Sequence, residues 1–182
     1  NADGIFGQSE EIIRHVNQFP STKNKFVYRN LQQYAVAAQP KRKHTPFRIV
    51  YAGLLGVAQD IYSIIENIPF QSIGAEFHLY GGGNQTEKIK EYINKHPGCF
   101  VYYHGYVKKK QIAEELSRYD ASIVPLTVAI KGAVPSKIYD LIPIGIPILF
   151  CGGGEGAEIV SKYYFGMVSK PHDFKQLHNN II

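Results

Sequence analysis

From Phe47 onward, short β-rich apolar runs alternate with segments of helical periodicity, and no two helices or two strands follow one another. "FRIVYAG" reads as a strand, and "AQDIYSIIENI" sets Ile61, Ile64, Ile65 and Ile68 on one helical face. "AEFHLYG" is a strand, "QTEKIKEYINKH" an amphipathic helix and "CFVYYHG" a strand. "KKKQIAEELSRY" follows as a helix with Ile112, Leu116 and Tyr119 inward, then "ASIVPL" as a strand. The segment Gly132 to Pro147 supplies a short helix, "PILFCG" a strand, "EGAEIVSKY" a helix and "YYFGMVS" a weak strand. Strands that are apolar on both faces and separated by helices belong in a parallel sheet covered on each side. The expected fold is a Rossmann-like, doubly wound α/β domain over 47–182. In such sheets ligands bind where the strands end, so strand-to-helix loops are where function is sought.

The first 46 residues differ in kind. "DGIFGQSEEIIRHV" reads as a strand end and a helix started by Ser9, "KFVYRN" as one more strand, and "AVAAQPKRKHTP" as a linker. Residues 1–46 are therefore expected to be the joint to a further N-terminal domain. The opening "NADGIFG" has no initiating Met and "LHNNII" stops as a helix begins, which fits a piece of a longer protein with Asn1 and Ala2 as a non-native leftover.

At 182 residues, 45% hydrophobic and 19% charged, the chain has the composition of a globular domain, with no window resembling a membrane span or a signal peptide. Its two cysteines, Cys99 and Cys151, lie beside apolar runs in no metal-ligand spacing and read as core residues in a reducing cytoplasm. A net charge of +5 favours anionic partners, phosphorylated small molecules or anionic lipid among them. The basic clusters, Lys41 to His44 and Lys108 to Lys110, read as solvated linker and exposed helix start, and no nucleic-acid site is expected.

Four loops compete for function. "YAGLLGVAQ" carries Gly53 and Gly56, which let backbone approach a phosphate at a helix start but also suit a plain tight turn. The triplet Gly81 to Gly83 begins a dinucleotide fingerprint that fails at Thr86. "GGGEGA" completes one through Gly152, Gly154 and Ala157, with Asp173 near the distance of a ribose partner. That fingerprint belongs in the first crossover of its domain, whereas barely one strand remains after this one, so a glycine-rich turn is the simpler reading and an NAD site the rival. In "GAVPSKIYDLIPIGIP", Pro135 suits a first helical turn and Ser136 can satisfy free backbone donors. Lys137 stands where a diphosphate over the helix start wants a cation, and Asp140 can accept from a pair of sugar hydroxyls. A capped helix with a surface lysine and a dipole-favoured carboxylate is the structural alternative. His104, at the end of "YYH", has no metal-binding or acid-base company. No nucleophile triad or paired carboxylate stands out.

"FRIVYAG", "FHLYGGG", "VYYHGYVKKKQIAEELSRYDASIVPL" and "PSKIYDLIPIGIPIL" occur in the order seen in the C-terminal donor-binding domain of retaining GT-B glycosyltransferases, the group 1, family 4-like enzymes. The resemblance spans Phe47 to Asp173 and is closest to bacterial members with "PSKIYE" and a following "GKP", which often use UDP-linked N-acetylated sugars. It implies that Asp140, in place of the usual Glu, holds the donor ribose. Gly145 and Pro147 match the downstream glycine and proline. Ser136, Lys137 and Ile138 would face the diphosphate, with Gly53, Leu54 and Gly56 beneath it. Tyr106 and Val107 would border the base, and Val124, Pro125 and Leu126 would wall it. Lys137 and Asp140 carry the catalytic expectation.

Two departures stand out. Leu54, Leu55 and Val57 occupy the loop where many relatives carry Arg and Lys, and Gly132 stands eight positions before Asp140, where many carry an acid. The resemblance further implies front-face transfer with retention and no metal or cofactor beyond the UDP-sugar. The acceptor, a lipid-linked or saccharide one, would sit mostly in the N-terminal domain, on a cytoplasmic enzyme peripheral to the inner face of the membrane. An ADP- or GDP-sugar donor, or a domain that keeps the fold without chemistry, are the remaining alternatives.

Overall fold

In a computed structural model of the chain, residues 3–20, 23–31, 44–128 and 130–182 are described. Most of the expected linker, Lys41 to Lys43 of the first basic cluster, and Asn1 and Ala2 lie outside them.

Eight strands and seven α-helices are described: β1 (Gly4–Gly7), α1 (Glu10–Val16), β2 (Asn24–Val27), β3 (Phe47–Leu54), α2 (Ile61–Asn67), β4 (Ala75–Gly82), α3 (Thr86–Lys95), β5 (Val101–Gly105), α4 (Ile112–Leu116), β6 (Ala121–Pro125), α5 (Ser136–Leu141), β7 (Ile148–Cys151), α6 (Gly154–Lys162), β8 (Gly166–Ser169) and α7 (Phe174–Ile181). β1 and β2 pair in parallel as a two-stranded sheet. The other six form one parallel sheet in the order β5-β4-β3-β6-β7-β8. The winding reverses between β3 and β6, which makes that junction the topological switch point and the crevice above it the expected ligand position.

The sheet is packed on both faces. Ile61, Ile64 and Ile65 of α2, Ile89 of α3 and Leu177 of α7 meet Ile49, Phe77 and Ile123 on one side. Leu116 of α4, Ile138 and Leu141 of α5 and Val160 of α6 meet Val50, Val124 and Phe150 on the other. The isoleucine stripe of α2, including Ile68, is 0–3% exposed, so the 3.6-residue spacing predicted its buried face. Cys151 is buried and Cys99 partly so; both are free thiols.

The helix expected over 108–119 is shorter. Three lysines in succession repel at its start, where a 3₁₀ turn runs from Lys109 to Gln111, and α4 ends where Ser117 Oγ donates back to the Glu114 carbonyl. Ser9 caps α1 as its sequence context predicts, accepting from the Ile12 amide at 3.1 Å while wholly buried.

Candidate functional site

At the switch point the ends of β3 and β4, with Ser122 of β6, line a cavity of about 420 Å³ bordered by α4 and α5. Gly53 and Leu54 form its floor, Tyr106 and Val107 one rim, and Lys137 and Asp140 the opposite wall. Glycine is required at position 81. The β3 and β4 backbones touch there, so a Cβ on Gly81 (φ +116°) would strike the Gly53 carbonyl, and one on Gly82 would strike the Tyr106 hydroxyl. A Cβ on Gly53 would collide with Nζ of Lys137, whose side chain lies across it. The first glycine run thus packs two strand ends and a tyrosine into a wall.

Beside this cavity is a smaller one of about 190 Å³, sharing Leu54 and Lys137 and bordered by Tyr51, Pro125, Leu126, Pro135 and Ser136. It lies at the start of α5. Pro135 is the N-cap residue and no side chain caps the helix. The expected cap by Ser136 does not form: Ser136 is already the first helical residue and is exposed, so its hydroxyl is not placed to reach back to the amides ahead of it.

Lys137 and Asp140 are both half-buried. Burial pulls the Lys137 ammonium below its ordinary pKa, with partial compensation by Asp140. Burial likewise pushes the Asp140 carboxyl up, against the opposing fields of Lys137 and then Lys109. Neither makes a hydrogen bond or a close ion pair among the described residues; Lys137 Nζ stands 5.9 Å from the Tyr51 ring centroid. Two ionisable groups thus bear a desolvation penalty that direct partners do not relieve, which is common at functional sites.

Gly53, Leu54, Tyr106, Val107, Pro125, Ser136, Lys137 and Asp140 therefore share these two adjoining cavities. Gly56 and Ile138 do not join them. Gly56 is buried behind Gln59 and Leu54, and Ile138 is fully buried with its amide donated to the Pro135 carbonyl at 3.1 Å. Val124 is buried in the core and also borders the smaller cavity. Sequence reasoning missed Tyr80, Leu116, Ser122 and Ile144 in the larger cavity. Tyr80 had a signal: along β4, Glu76, His78 and Tyr80 alternate with Phe77 and Leu79, marking a second, polar face. Its hydroxyl donates to Glu115 at 2.6 Å and is 2.8 Å from the Tyr119 hydroxyl, while His104 stacks on its ring at 4.7 Å. His104 also lies 2.9 Å from His78, and no cluster of three metal-ligating side chains occurs among the described residues.

The rival glycine run, 152–154, has another role. Glu155 is 7% exposed and accepts from the amides of Glu10 at 3.0 Å and Glu11 at 3.1 Å, and from Arg29. Burial works to raise this carboxyl, but the Glu10 amide, Arg29 and the Glu11 amide outweigh it and hold the pKa below the ordinary range. Asp173, the would-be ribose partner, caps α7 by accepting from the Gln176 amide at 2.9 Å. At Gly132 (φ +74°) a Cβ would come within 2.6 Å of Ile12, so α1 leaves no space for a side chain there.

The sequence profile described as "Glycosyl transferases group 1" matches residues 46–182. The chain belongs to that family. No curated protein sequence matches it. Among solved structures, a TarM mutant from S. aureus in complex with fondaparinux, α-GlcNAc-glycerol and UDP is 20% identical at a TM-score of 0.73, over 98% of this chain and 36% of that one. HepE from Anabaena, in complex with UDP and glucose, is 14% identical at 0.72, over 99% and 53%. The pneumococcal O-GlcNAc transferase GtfA, in complex with UDP and GlcNAc, is 16% identical at 0.64, over 99% and 37%. These likenesses are of fold, the Rossmann-like fold of GT-B glycosyltransferases. The chain spans about a third to a half of those proteins' lengths. Within this group 1 domain the profile begins one residue before β3, leaving β1, α1 and β2 outside it. No described helix is long and apolar enough to cross a membrane.

Proposed function

We propose that this region is the donor-binding part of a glycosyltransferase that moves a hexosyl or N-acetylhexosaminyl group from a UDP-sugar to a lipid-linked or saccharide acceptor. The observation that carries this is the pairing of Lys137 and Asp140 on one wall of the switch-point cavity, both desolvated and neither directly bonded. The uridine lies between Tyr106, Val107 and the β3 floor, with Asp140 accepting from the ribose hydroxyls. The diphosphate bridges to the smaller cavity at the start of α5. There Lys137 and the uncapped amides of the first turn face the charge that develops as UDP leaves, so the transition state gains more from them than the ground state does. With Leu54 and Val57 in the β3 loop, Lys137 carries most of the cationic work, and the reaction proceeds without a metal. Transfer with retention, an acceptor site contributed by an N-terminal domain, a cytoplasmic enzyme peripheral to the inner face of the membrane, and a role in cell-envelope polysaccharide synthesis complete the reading. It rests on the family membership and on the UDP-bound relatives of the same fold.

An NAD site at 152–154 is disfavoured, because Glu155 and Asp173 are already engaged in tying down α1 and capping α7. Calorimetric titration of UDP into the full-length protein tests the proposal. The parent is expected to bind, and Lys137→Ala to weaken binding roughly 10- to 100-fold, the scale of a lost hydrogen bond to a charged group. Asp140→Ala should cost about tenfold, while Asp140→Glu stays close to the parent. Equal binding by parent and both alanine variants, or NADH binding in place of UDP, would overturn it.

A further inference from the structure

A third cavity borders the smaller of the two described above. The smaller one meets it across Leu126 and Ala133, and it measures about 340 Å³. On the proposed function, on which this inference rests, nucleoside occupies the first space and diphosphate the second, so the next group along the ligand enters the third. Its walls differ from those of the other two. Glu11, Lys131, Gly153, Gly154 and Glu155 contribute, so its lining is of mixed charge.

The carboxylates are in different states. Glu155 is committed to two amides and a guanidinium. Glu11, half-buried, uses Oε2 to accept from the Gly132 amide at 2.6 Å, which fixes the group against the loop leading to α5. Its Oε1 takes part in no hydrogen bond among the described residues. No side chain could do this from the loop itself, because Ile12 occupies the space a Cβ on Gly132 would need. A held carboxylate with one free oxygen accepts hydrogen bonds and donates none, which complements the hydroxyls of a hexose.

We propose that Glu11 is a specificity-determining residue that reads the donor sugar: presented by α1 from outside the matched domain, its free oxygen accepts from a sugar hydroxyl in the third cavity. The substrate class is a nucleoside diphosphate hexose with an equatorial or axial hydroxyl facing α1. Selection among donors then depends on α1 being docked, which Glu155 and Arg29 secure.

The test is calorimetry on the full-length parent, Glu11→Gln and Glu11→Ala, with UDP, UDP-glucose, UDP-galactose and UDP-N-acetylglucosamine, and thermal unfolding of each. The readout is the ratio of UDP-sugar affinity to UDP affinity. Glu11→Gln keeps an acceptor for the Gly132 amide, so the fold is retained. For at least one sugar the ratio should fall about tenfold in both variants, with UDP affinity within twofold of the parent. A ratio unchanged for all three sugars overturns the inference, whether affinities stay put or fall together as they would if Glu11 only braced the loop. A parent that binds no UDP fails the proposed function itself, and is recognised as such before any variant is compared.

Discussion

α5 and α6 begin side by side at the carboxyl edge of the same sheet, each after a strand buried along its whole length, yet their first turns are opposite in character. The first turn of α5 holds no acid, its cap is a proline, and its cation, Lys137, lies across a glycine floor without a bonded partner. The first turn of α6 holds Glu155, which is buried and saturated by α1 amides and Arg29. A positive helix end attracts negative charge. In α6 the chain supplies that charge itself and uses it to hold the N-terminal strands and helix in place. In α5 no described side chain does so, which is why the proposed function puts an anion there. Glycine content does not separate the two loops; where the nearest carboxylate points does.

The largest effect expected is on binding. Removing the α5 cation should cost UDP affinity as given above, whereas Glu155→Ala should leave UDP affinity within about threefold, because no residue of α6 lines the two cavities of the proposed nucleotide site. The next effect is on stability. Glu155→Ala exposes two amides and a guanidinium to loss of their partner and should cost about 2–3 kcal/mol in urea unfolding. Because the folded pKa of Glu155 lies below its ordinary 4.5, this stabilisation is complete above that value and lost as pH falls through the folded pKa. The gap between parent and variant should be full at neutral pH and shrink in acid; a gap independent of pH would mean that packing, not charge, holds α1.

A smaller effect has the opposite sign. Lys137→Met and Asp140→Asn relieve unpaid desolvation in the ligand-free protein, so each should raise Tm by about 1–3 °C while impairing nucleotide binding. A fall in Tm would show that the two charges brace α5. Smallest of all, Gly153→Ala meets nothing within 4 Å and should change stability by less than about 0.5 kcal/mol.

Much of the architecture was readable from local patterns. The isoleucine spacing of α2 and the apolar runs of β6 and β7 each encode an environment within a few residues, and order along the chain then restricts the sheet topology. That Lys137 and Asp140 face one cavity together was legible for the same reason: they lie one turn apart on a single helix. What escaped was tertiary. The bond from Glu11 to Gly132 spans 121 positions, and that from Glu155 to the Glu10 amide spans 145, with no periodicity to announce either. The expected serine cap at 136 failed because one residue of register separates a capping position from a helical one. Ile138 sat inside the right motif but on the core side of its helix, a distinction of one hundred degrees of rotation per residue.

The passage of the Lys137 arm over Gly53 ties two distant positions into one unit of change. Any mutation that adds a side chain at 53 makes the ammonium shift, and because it is the far end of a flexible arm the fold itself need not suffer. On the proposed function, a lineage drifting through alanine at 53 would alter the anion hold before it altered the fold, so a smoother path to a different phosphate grip begins at Leu54 or Val57, where an added Arg or Lys could share the charge before the lysine is moved.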